Sequence, residues 1–317
     1  MPPKKIITVF GATGAQGGGV VSTFLEDAAL KDEWTVRAVT RDVSKESAKK
    51  LSSRGAEVVS ADLNDEESLI AVLAGSYAVY GVTNYWEKTD ADLEVQQGKN
   101  LANAVKKSSV SHYIWSSLLN ITELSKGKLC NVYHFDSKAK VEDYVRSLEI
   151  PATYFMPGFY MTGVPGAMFG PQPPDNAWTF SLPASPEAIL PMYHPGDTGK
   201  YVKAIVNNRD KLLGKRFYGA TAYMTAQEVV DTFKTVFPEA GKTARFFSVP
   251  EEAFRGAMKA QGTPDFIVSE LYENVKLFEG PGYYGGESLG ETHKLVTDRL
   301  TTWAEYAKDA EAFKGLE

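Results

Sequence analysis

The stretch Ile6–Gly19, with the sequence IITVFGATGAQGGG, constrains the fold more than any other part of the chain. A short apolar run comes first, glycines follow at positions 11, 14 and 17, and apolar residues then recur at helical spacing. This order predicts a strand, a tight turn and a helix. In such a unit the three glycines permit the turn, the approach of a pyrophosphate to the backbone, and close packing of the helix on its strand. The N–H groups at the helix start favour phosphate binding, so the stretch predicts a dinucleotide site.

The second strand indicates which dinucleotide is bound. We predict this strand over Thr35–Thr40, with Arg41 at its carboxyl end. In the dinucleotide-binding fold this strand end meets the adenosine ribose, and an acidic residue there favours NAD. Arg41 instead complements a 2′-phosphate, which a guanidinium can hold with two hydrogen bonds. An exposed, solvated arginine is the alternative, but the position favours NADP.

Composition limits the class of protein and its partners. The 317 residues are enough for one large or two modest domains, and the net charge of −6 argues against a broad nucleic-acid surface. Cys130 is the only cysteine, which excludes an internal disulfide and a cysteine-rich metal site, and we expect no metal. Met1–Lys5 leads directly into the first strand, and no apolar run reaches the ~18 residues of a membrane span. We therefore expect a cytoplasmic protein, possible also in the nucleus, with no membrane contact.

Two further strand ends are expected at the same crevice, because the carboxyl ends of neighbouring parallel strands meet there. A strand over Glu57–Ala61 is followed by Asp62 and Leu63, where an adenine ring would lie. Asp62 is equally suited to be the N-cap of a helix over Glu66–Leu73, and the two roles are compatible. A strand over Tyr77–Val82 is followed by the segment 83–86, which we expect on the nicotinamide side.

The motif His134-Phe-Asp-Ser-Lys138 opens a helix predicted to end near residue 148. The two residues are four apart, so both side chains fall on one helical face. Short-chain dehydrogenases carry Tyr-x-x-x-Lys here, with tyrosine as proton donor. His134 takes the place of that tyrosine, while Tyr133 is rotated by about 100° around the helix. The imidazole either donates a proton or only caps and packs at the helix start.

The amino-acid composition of the chain changes beyond residue 160. The segment 166–195 is rich in proline, and helices are predicted near 197–206, 225–237, 250–261, 264–279 and 300–313. We predict a dinucleotide-binding domain over residues 1–160 and a smaller lobe over 161–317, with some strands of the second segment returning to the first sheet. Aromatic residues around the predicted crevice and in the second lobe predict either an apolar substrate pocket or packing between the lobes: Trp86, Phe159, Tyr160 and Trp178.

Four separated motifs, GATGAQGG, VTNYWE, QQGKNLA and HFDSK, resemble the NmrA-like family, and are most similar to its HSCARG-type NADPH-sensor branch. The resemblance runs the length of the chain. It implies an α/β fold of the atypical short-chain dehydrogenase type, with a Rossmann-type doubly wound parallel sheet, a smaller α+β C-terminal lobe and NADP(H) as cofactor. It places the phosphates at Gly11, Thr13, Gly14, Ala15, Gln16 and Gly17, the 2′-phosphate at Arg41, and the adenine at Asp62 and Leu63. It places the nicotinamide and its ribose near Thr83, Asn84, Tyr85, Lys138, Gly158, Phe159 and Tyr160.

Two roles follow from this resemblance. The cofactor-binding motifs are intact but the catalytic tyrosine is missing, which favours a redox-responsive regulator. In that role a partner protein, or the second protomer of a homodimer, responds to the conformational change that bound NADP(H) causes. The retained Lys138 supports the alternative, an NADPH-dependent reductase of a small carbonyl, enone or phenolic substrate with Lys138 or His134 in the proton path.

Overall fold

Strands and helices alternate along the first half of the chain. The computed structural model describes residues 3–316. In the first half the elements are β1 (Lys5–Val9), α1 (Ala15–Glu26), α2 (Leu30–Glu33), β2 (Trp34–Thr40), α3 (Glu46–Ser53), β3 (Glu57–Ser60), α4 (Glu66–Leu73), β4 (Ser76–Gly81), α5 (Ala91–Lys107), β5 (His112–Ser116), α6 (Ile121–Leu124), α7 (Tyr133–Ser147) and β6 (Ala152–Pro157). One 3₁₀ turn, Tyr85–Glu87, follows β4. Such alternation is typical of a parallel sheet covered by helices on both faces.

The second half contains short strands and further helices. They are β7 (Phe159–Tyr160), β8 (Phe169–Gln172), β9 (Ala177–Leu182), β10 (Ile189–Tyr193), α8 (Thr198–Asn207), α9 (Arg209–Leu212), β11 (Arg216–Gly219), β12 (Ala222–Thr225), α10 (Ala226–Val236), α11 (Pro238–Gly241), β13 (Arg245–Ser248), α12 (Glu251–Ala260), α13 (Asp265–Lys276), α14 (Gly290–Leu295) and α15 (Trp303–Asp309). Within residues 3–316, no helix has both the length and the apolar composition needed to cross a bilayer.

The main sheet has seven strands in the order β11-β6-β5-β4-β1-β2-β3, and every pairing in it is parallel. Because β1 lies between β2 and β4, the chain reverses its progress across the sheet beside β1. In doubly wound sheets the ligand crevice lies at this switch point, outside the carboxyl ends of the strands. The predicted α/β fold with a Rossmann-type sheet is confirmed.

Each face of the main sheet is covered by helices that bury an apolar side. On one face α1 and α8 pack together, with Phe24 and Val202 fully buried. On the other face α5 packs on α7, with Leu101 and Val141 fully buried. Both α8 and β11 come from beyond residue 160, so the main sheet and its cover draw on both halves of the chain.

The remaining strands form two small sheets, β12-β10-β7 and β13-β9-β8. Phe169, Phe233 and Phe313 form the aromatic centre of this part, with ring centroids 4.7–5.9 Å apart. Trp178 packs 5.4 Å from both Phe233 and Phe313. Of the two interpretations of the aromatic residues, lobe packing therefore applies to Trp178.

Two local predictions are wrong. The N-cap of α4 is Asp65, whose carboxylate accepts the backbone N–H groups of residues 67 and 68, whereas Asp62 accepts from Asn64 in a turn before the helix. Asp65 rather than Asp62 is the N-cap because it directly precedes Glu66, the first residue of the helix. The last helix begins at Trp303 rather than at residue 300, because Thr302 and Glu305 form a capping box there.

Candidate functional site

A cavity of about 740 Å³ lies at the carboxyl ends of the main-sheet strands. It is lined by every residue that the sequence placed at the cofactor: Gly11, Thr13, Gly14, Ala15, Gln16, Gly17, Arg41, Asp62, Leu63, Thr83, Asn84, Tyr85, Lys138, Gly158, Phe159 and Tyr160. His134 lines the same cavity. The fold therefore brings the predicted residues together, while their contact with a dinucleotide remains a prediction.

The glycine turn is built so tightly that larger residues do not fit. Gly11 has φ +62°, a left-handed conformation that favours glycine. A Cβ at Gly17 would lie 2.3 Å from the carbonyl oxygen of Gly11. Gly14 precedes α1 without any side-chain cap, so the first N–H groups of the helix are left for a ligand. These features fit a pyrophosphate at the helix start.

The side chain of Gln16 forms hydrogen bonds to residues of three strands, β4, β5 and β7. Its Nε2 donates to the Tyr160 hydroxyl at 2.6 Å, and its Oε1 accepts from Ser116 at 2.8 Å and from Tyr80. Burial raises the pKa of Tyr160 to about 12, so this hydroxyl stays protonated at neutral pH. The phosphate contact expected of Gln16 is thus left to its backbone N–H, since its side chain is already hydrogen-bonded.

Arg41 forms an ion pair at the adenosine end of the cavity. Its guanidinium lies 2.5 Å from Glu87 Oε1, with 65% and 36% of the two side chains exposed. The hydrogen bond from Arg41 holds the pKa of Glu87 below its usual value. Glu87 therefore accepts from Nη1, one of the guanidinium donors that a 2′-phosphate could use.

Lys138 lies at the floor of the cavity and is held by Glu94 from α5. Its Nζ is 2.6 Å from Glu94 Oε1, and it also donates to the Oγ1 and carbonyl oxygen of Thr83 at 2.9 and 3.1 Å. Burial raises the pKa of Glu94, but the adjacent ammonium and the hydrogen bonds outweigh this effect and lower it overall. The carboxylate thus fixes the position of the Lys138 ammonium at the cavity, which suits binding a ribose hydroxyl.

His134 lies in the first turn of α7 and is held by Glu270 from α13. Its Nδ1 is 2.6 Å from Glu270 Oε1, and its backbone N–H donates to the same oxygen at 2.9 Å. The other carboxylate oxygen accepts from the Tyr85 hydroxyl at 2.6 Å. Glu270 is fully buried, so these donors replace its lost hydration. Burial and this carboxylate raise the pKa of Tyr85, which keeps its hydroxyl protonated and bonded to Glu270.

This arrangement gives His134 a defined chemical capacity. A carboxylate only accepts hydrogen bonds, so Nδ1 carries the hydrogen that points to Glu270. When the ring is protonated, Nε2 is a second donor while Nδ1–H stays directed to Glu270. Tyr133, by contrast, donates to Asn131 at 2.9 Å and does not line the cavity.

The cavity has further lining residues that the sequence did not assign to it. Its apolar walls include Leu118, Phe159 and Met168, and it also contains Asn274 and Tyr283. Asn274 falls within the helix predicted near 264–279, and Tyr283 falls outside the predicted helices. Neither belongs to a recognisable motif.

Glu94 and Glu270 were also missed, although the sequence carries a signal for both. Each is an acidic residue on the apolar side of an amphipathic helix: Glu94 aligns with buried Leu101 in α5, and Glu270 with buried Ile267 in α13. A carboxylate on such a face needs a buried partner. The partners are far away in sequence, so helical spacing alone does not identify them.

Comparison with known proteins places this geometry in context. Residues 3–307 match the model of the NmrA-like family. The NmrA-like family domain-containing oxidoreductase hkm9 of Aspergillus hancockii is 27% identical over 316 residues, covering 95% of this chain and 91% of that protein.

Two solved structures share the fold. NmrA, a negative transcriptional regulator in complex with NADP, superposes with a TM-score of 0.77 at 20% identity and covers 99% of this chain and 95% of its own. The Citrobacter sp. triphenylmethane reductase complexed with NADP(H) has a TM-score of 0.76 at 20% identity, covering 96% and 99%. One neighbour is thus described as a regulator and the other as a reductase.

Proposed function

The chain belongs to the NmrA-like family, and we propose that it is an NADPH-dependent reductase in which His134 donates the proton. The observation that carries the proposal is the 2.6 Å contact between His134 Nδ1 and the buried carboxylate of Glu270, in the same cavity as the glycine turn. A carboxylate-backed imidazole at the position of the usual tyrosine restores the proton donor that the motif lacks. The relative named an oxidoreductase supports the same role.

Both ends of the cavity fit NADP(H). The uncapped start of α1 and the close approach of Gly17 to Gly11 suit the pyrophosphate. Arg41 suits the 2′-phosphate, and the ammonium of Lys138, which lines the same cavity, suits a hydroxyl of the nicotinamide ribose. The NADP and NADP(H) complexes of the two structural neighbours agree with this choice.

Bound NADPH would supply a hydride to the carbonyl carbon of a small substrate. The protonated His134 donates from Nε2 to the carbonyl oxygen, so a C–H and an O–H bond form as the C=O double bond becomes single. The ring is left neutral, with Nδ1–H still directed to Glu270, and takes up a proton from solvent. Glu94 keeps Lys138 in place at the floor of the cavity throughout.

NADPH oxidation with small aldehydes, ketones and enones tests this role, using the His134→Gln and Glu270→Gln variants. We expect kcat to fall by about 100-fold or more in His134→Gln, a usual contribution of a general acid. The affinity for NADPH should stay nearly unchanged. His293→Gln is the matched control, because that ring contacts the Ala220 carbonyl and does not line the cavity.

The pH profile distinguishes proton donation from a packing role. A protonated donor makes kcat constant at low pH and lower as the pH rises. Glu270→Gln removes the carboxylate that accepts the Nδ1 hydrogen and the backbone N–H of His134, so the ring loses its fixed orientation and kcat should fall. Full turnover in His134→Gln with an unchanged pH profile would contradict the proposal.

A regulatory role is the second candidate, and one connection favours it. Glu87 and Tyr85 share the 3₁₀ turn after β4, so this turn connects Arg41 with Glu270 on α13. A 2′-phosphate that displaces Glu87 would alter a segment attached to the second half of the chain. Such a ligand shifts the conformation only by its differential affinity for the two forms.

Hydrogen exchange over residues 83–87 and 265–276, with and without NADP(H), tests the regulatory role. Sedimentation of the same samples reports any change in oligomeric state. Identical exchange and identical sedimentation in both states would exclude the switch.

A further inference from the structure

The cavity contains two polar side chains that the reduction step does not use. Asn274 and Tyr283 line it together with Leu118, Phe159 and Met168, and of these five only Phe159 is also a predicted cofactor residue. An otherwise apolar compartment with a few convergent polar groups is the usual form of a small-molecule site. The two polar groups therefore bear on which molecule fits.

Asn274 presents an amide whose hydrogen-bonding capacity is not used within the protein. Its Oδ1 is buried without a hydrogen-bond partner among the described residues. Buried amide oxygens in native proteins nearly always have a partner, so an unpaired one at a cavity wall indicates a missing ligand or water. Rotation of the amide by 180° exchanges its oxygen and nitrogen, so the group can offer either an acceptor or a donor.

Tyr283 presents a hydroxyl on a ring that is fixed by its neighbours. The ring lies edge-on to Phe135 at 5.0 Å and parallel to Phe278 at 6.1 Å. Burial and the nearby Tyr160 raise the pKa of Tyr283, so the hydroxyl stays protonated and can donate at neutral pH. A fixed ring with a protonated hydroxyl suits recognition of an oxygen atom.

The fold sets the spacing between these groups and His134. Asn274 follows Glu270 by four residues on α13, so it lies on the same helical face about 6 Å further along the axis. Phe135, next to His134 in sequence, contacts both other rings, with its centroid 4.9 Å from that of His134 and 5.0 Å from that of Tyr283. Asn274 thus lies about one helical turn from the carboxylate that holds His134, and Tyr283 reaches the same region through Phe135.

We propose that Asn274 and Tyr283 bind a second oxygen atom of the substrate, which is a planar conjugated carbonyl compound with a hydroxyl group on the side opposite its reacting carbonyl. The reacting oxygen meets His134, the ring lies between the apolar walls, and the distant hydroxyl meets the Asn274–Tyr283 pair. The second oxygen takes no part in the reaction. This inference rests on the proposed reductase function and makes it specific.

The test compares 4-hydroxybenzaldehyde with 4-methylbenzaldehyde, which has nearly the same shape but cannot form the hydrogen bond. Calorimetry with the NADP⁺-bound protein gives the Kd of each probe, and NADPH oxidation gives kcat/KM. We expect the wild-type protein to bind the hydroxy probe about 10-fold more tightly than the methyl probe. Asn274→Leu and Tyr283→Phe should each remove most of that preference, with an unchanged Kd for NADP⁺.

Tyr272→Phe is the control, because this residue lies on the same helix with its hydroxyl bonded to Glu251, and it does not line the cavity. Comparing ratios between probes cancels their intrinsic difference in reactivity. Tyr283→Phe is conservative enough to give a result even where Asn274→Leu does not fold. An equal preference in the wild-type and variant proteins, or no preference in the wild type, would overturn the inference. A binding preference without any turnover would support this subsite and refute the reductase role.

Discussion

The ion pair between Arg41 and Glu87 determines how strongly the protein should prefer NADP over NAD. A 2′-phosphate bound at Arg41 would compete with Glu87 for the Nη1 donor of the guanidinium. The pair is exposed, with 65% and 36% of the side chains accessible, so breaking it costs only ~0.2–1 kcal/mol. Charge-assisted hydrogen bonds from a guanidinium contribute ~1.5–3 kcal/mol. The exchange is therefore favourable, and Glu87 reduces the preference without abolishing it.

Two variants separate these contributions. Arg41→Ala loses the phosphate contact, and we expect a Kd for NADP about 10- to 100-fold higher with little change for NAD. Glu87→Gln frees the guanidinium, and we expect a Kd for NADP up to about 5-fold lower. Both effects should shrink at high salt, because the site is exposed to counterions.

Isothermal titration of both dinucleotides, at low and high ionic strength, measures these effects. Arg54→Ala is the matched control, since that arginine pairs with Glu26 and does not line the cavity. An unchanged NADP-to-NAD ratio in Arg41→Ala would refute the assignment of the 2′-phosphate. Weaker NADP binding in Glu87→Gln would refute the competition between carboxylate and phosphate.

Three further outcomes follow from the packing. Glu94→Gln leaves Lys138 buried without its counter-charge, so the free energy of unfolding measured in urea should fall by ~3–5 kcal/mol. Because folding lowers the pKa of Glu94, the stability that this carboxylate contributes to the wild-type protein is present above the ordinary carboxyl range. It is lost as the pH falls through the folded-state pKa. Gly17→Ala places a methyl group 2.3 Å from the Gly11 carbonyl, so NADP binding measured by calorimetry should be lost or the protein should not fold; normal affinity would contradict the tight turn. Phe169→Ala removes a fully buried ring and should lower stability by ~3–5 kcal/mol while the folded fraction keeps its affinity for NADP, as thermal unfolding and calorimetry can show together.

The parts of the site that sequence alone identified are those formed by local backbone. The glycine turn and the strand end at Arg41 are each encoded within a few residues, so pattern and spacing were sufficient. Glu66–Leu73 was also predicted with the bounds that the structure has. Asp62 was less certain because two aspartates stand three residues apart, and only the backbone conformation at residue 65 decides which one caps the helix.

The parts that sequence did not identify depend on contacts between distant residues. His134 meets a carboxylate 136 residues later in the chain, and Lys138 meets one 44 residues earlier. Helical periodicity places a carboxylate on an inner face but does not indicate its partner. Asn274 and Tyr283 become neighbours of the cavity only once α13 has packed against the start of α7.

The attachment of α13 to α7 through Glu270 has an evolutionary consequence. The predicted dinucleotide-binding residues all lie at or before residue 160, whereas the carboxylate that holds His134 is encoded at one codon far downstream. A single substitution at residue 270 would leave a descendant that still holds its nucleotide but has lost its chemistry. Members of such a lineage could then gain or lose catalysis without any change in the glycine-rich motif by which they are recognised.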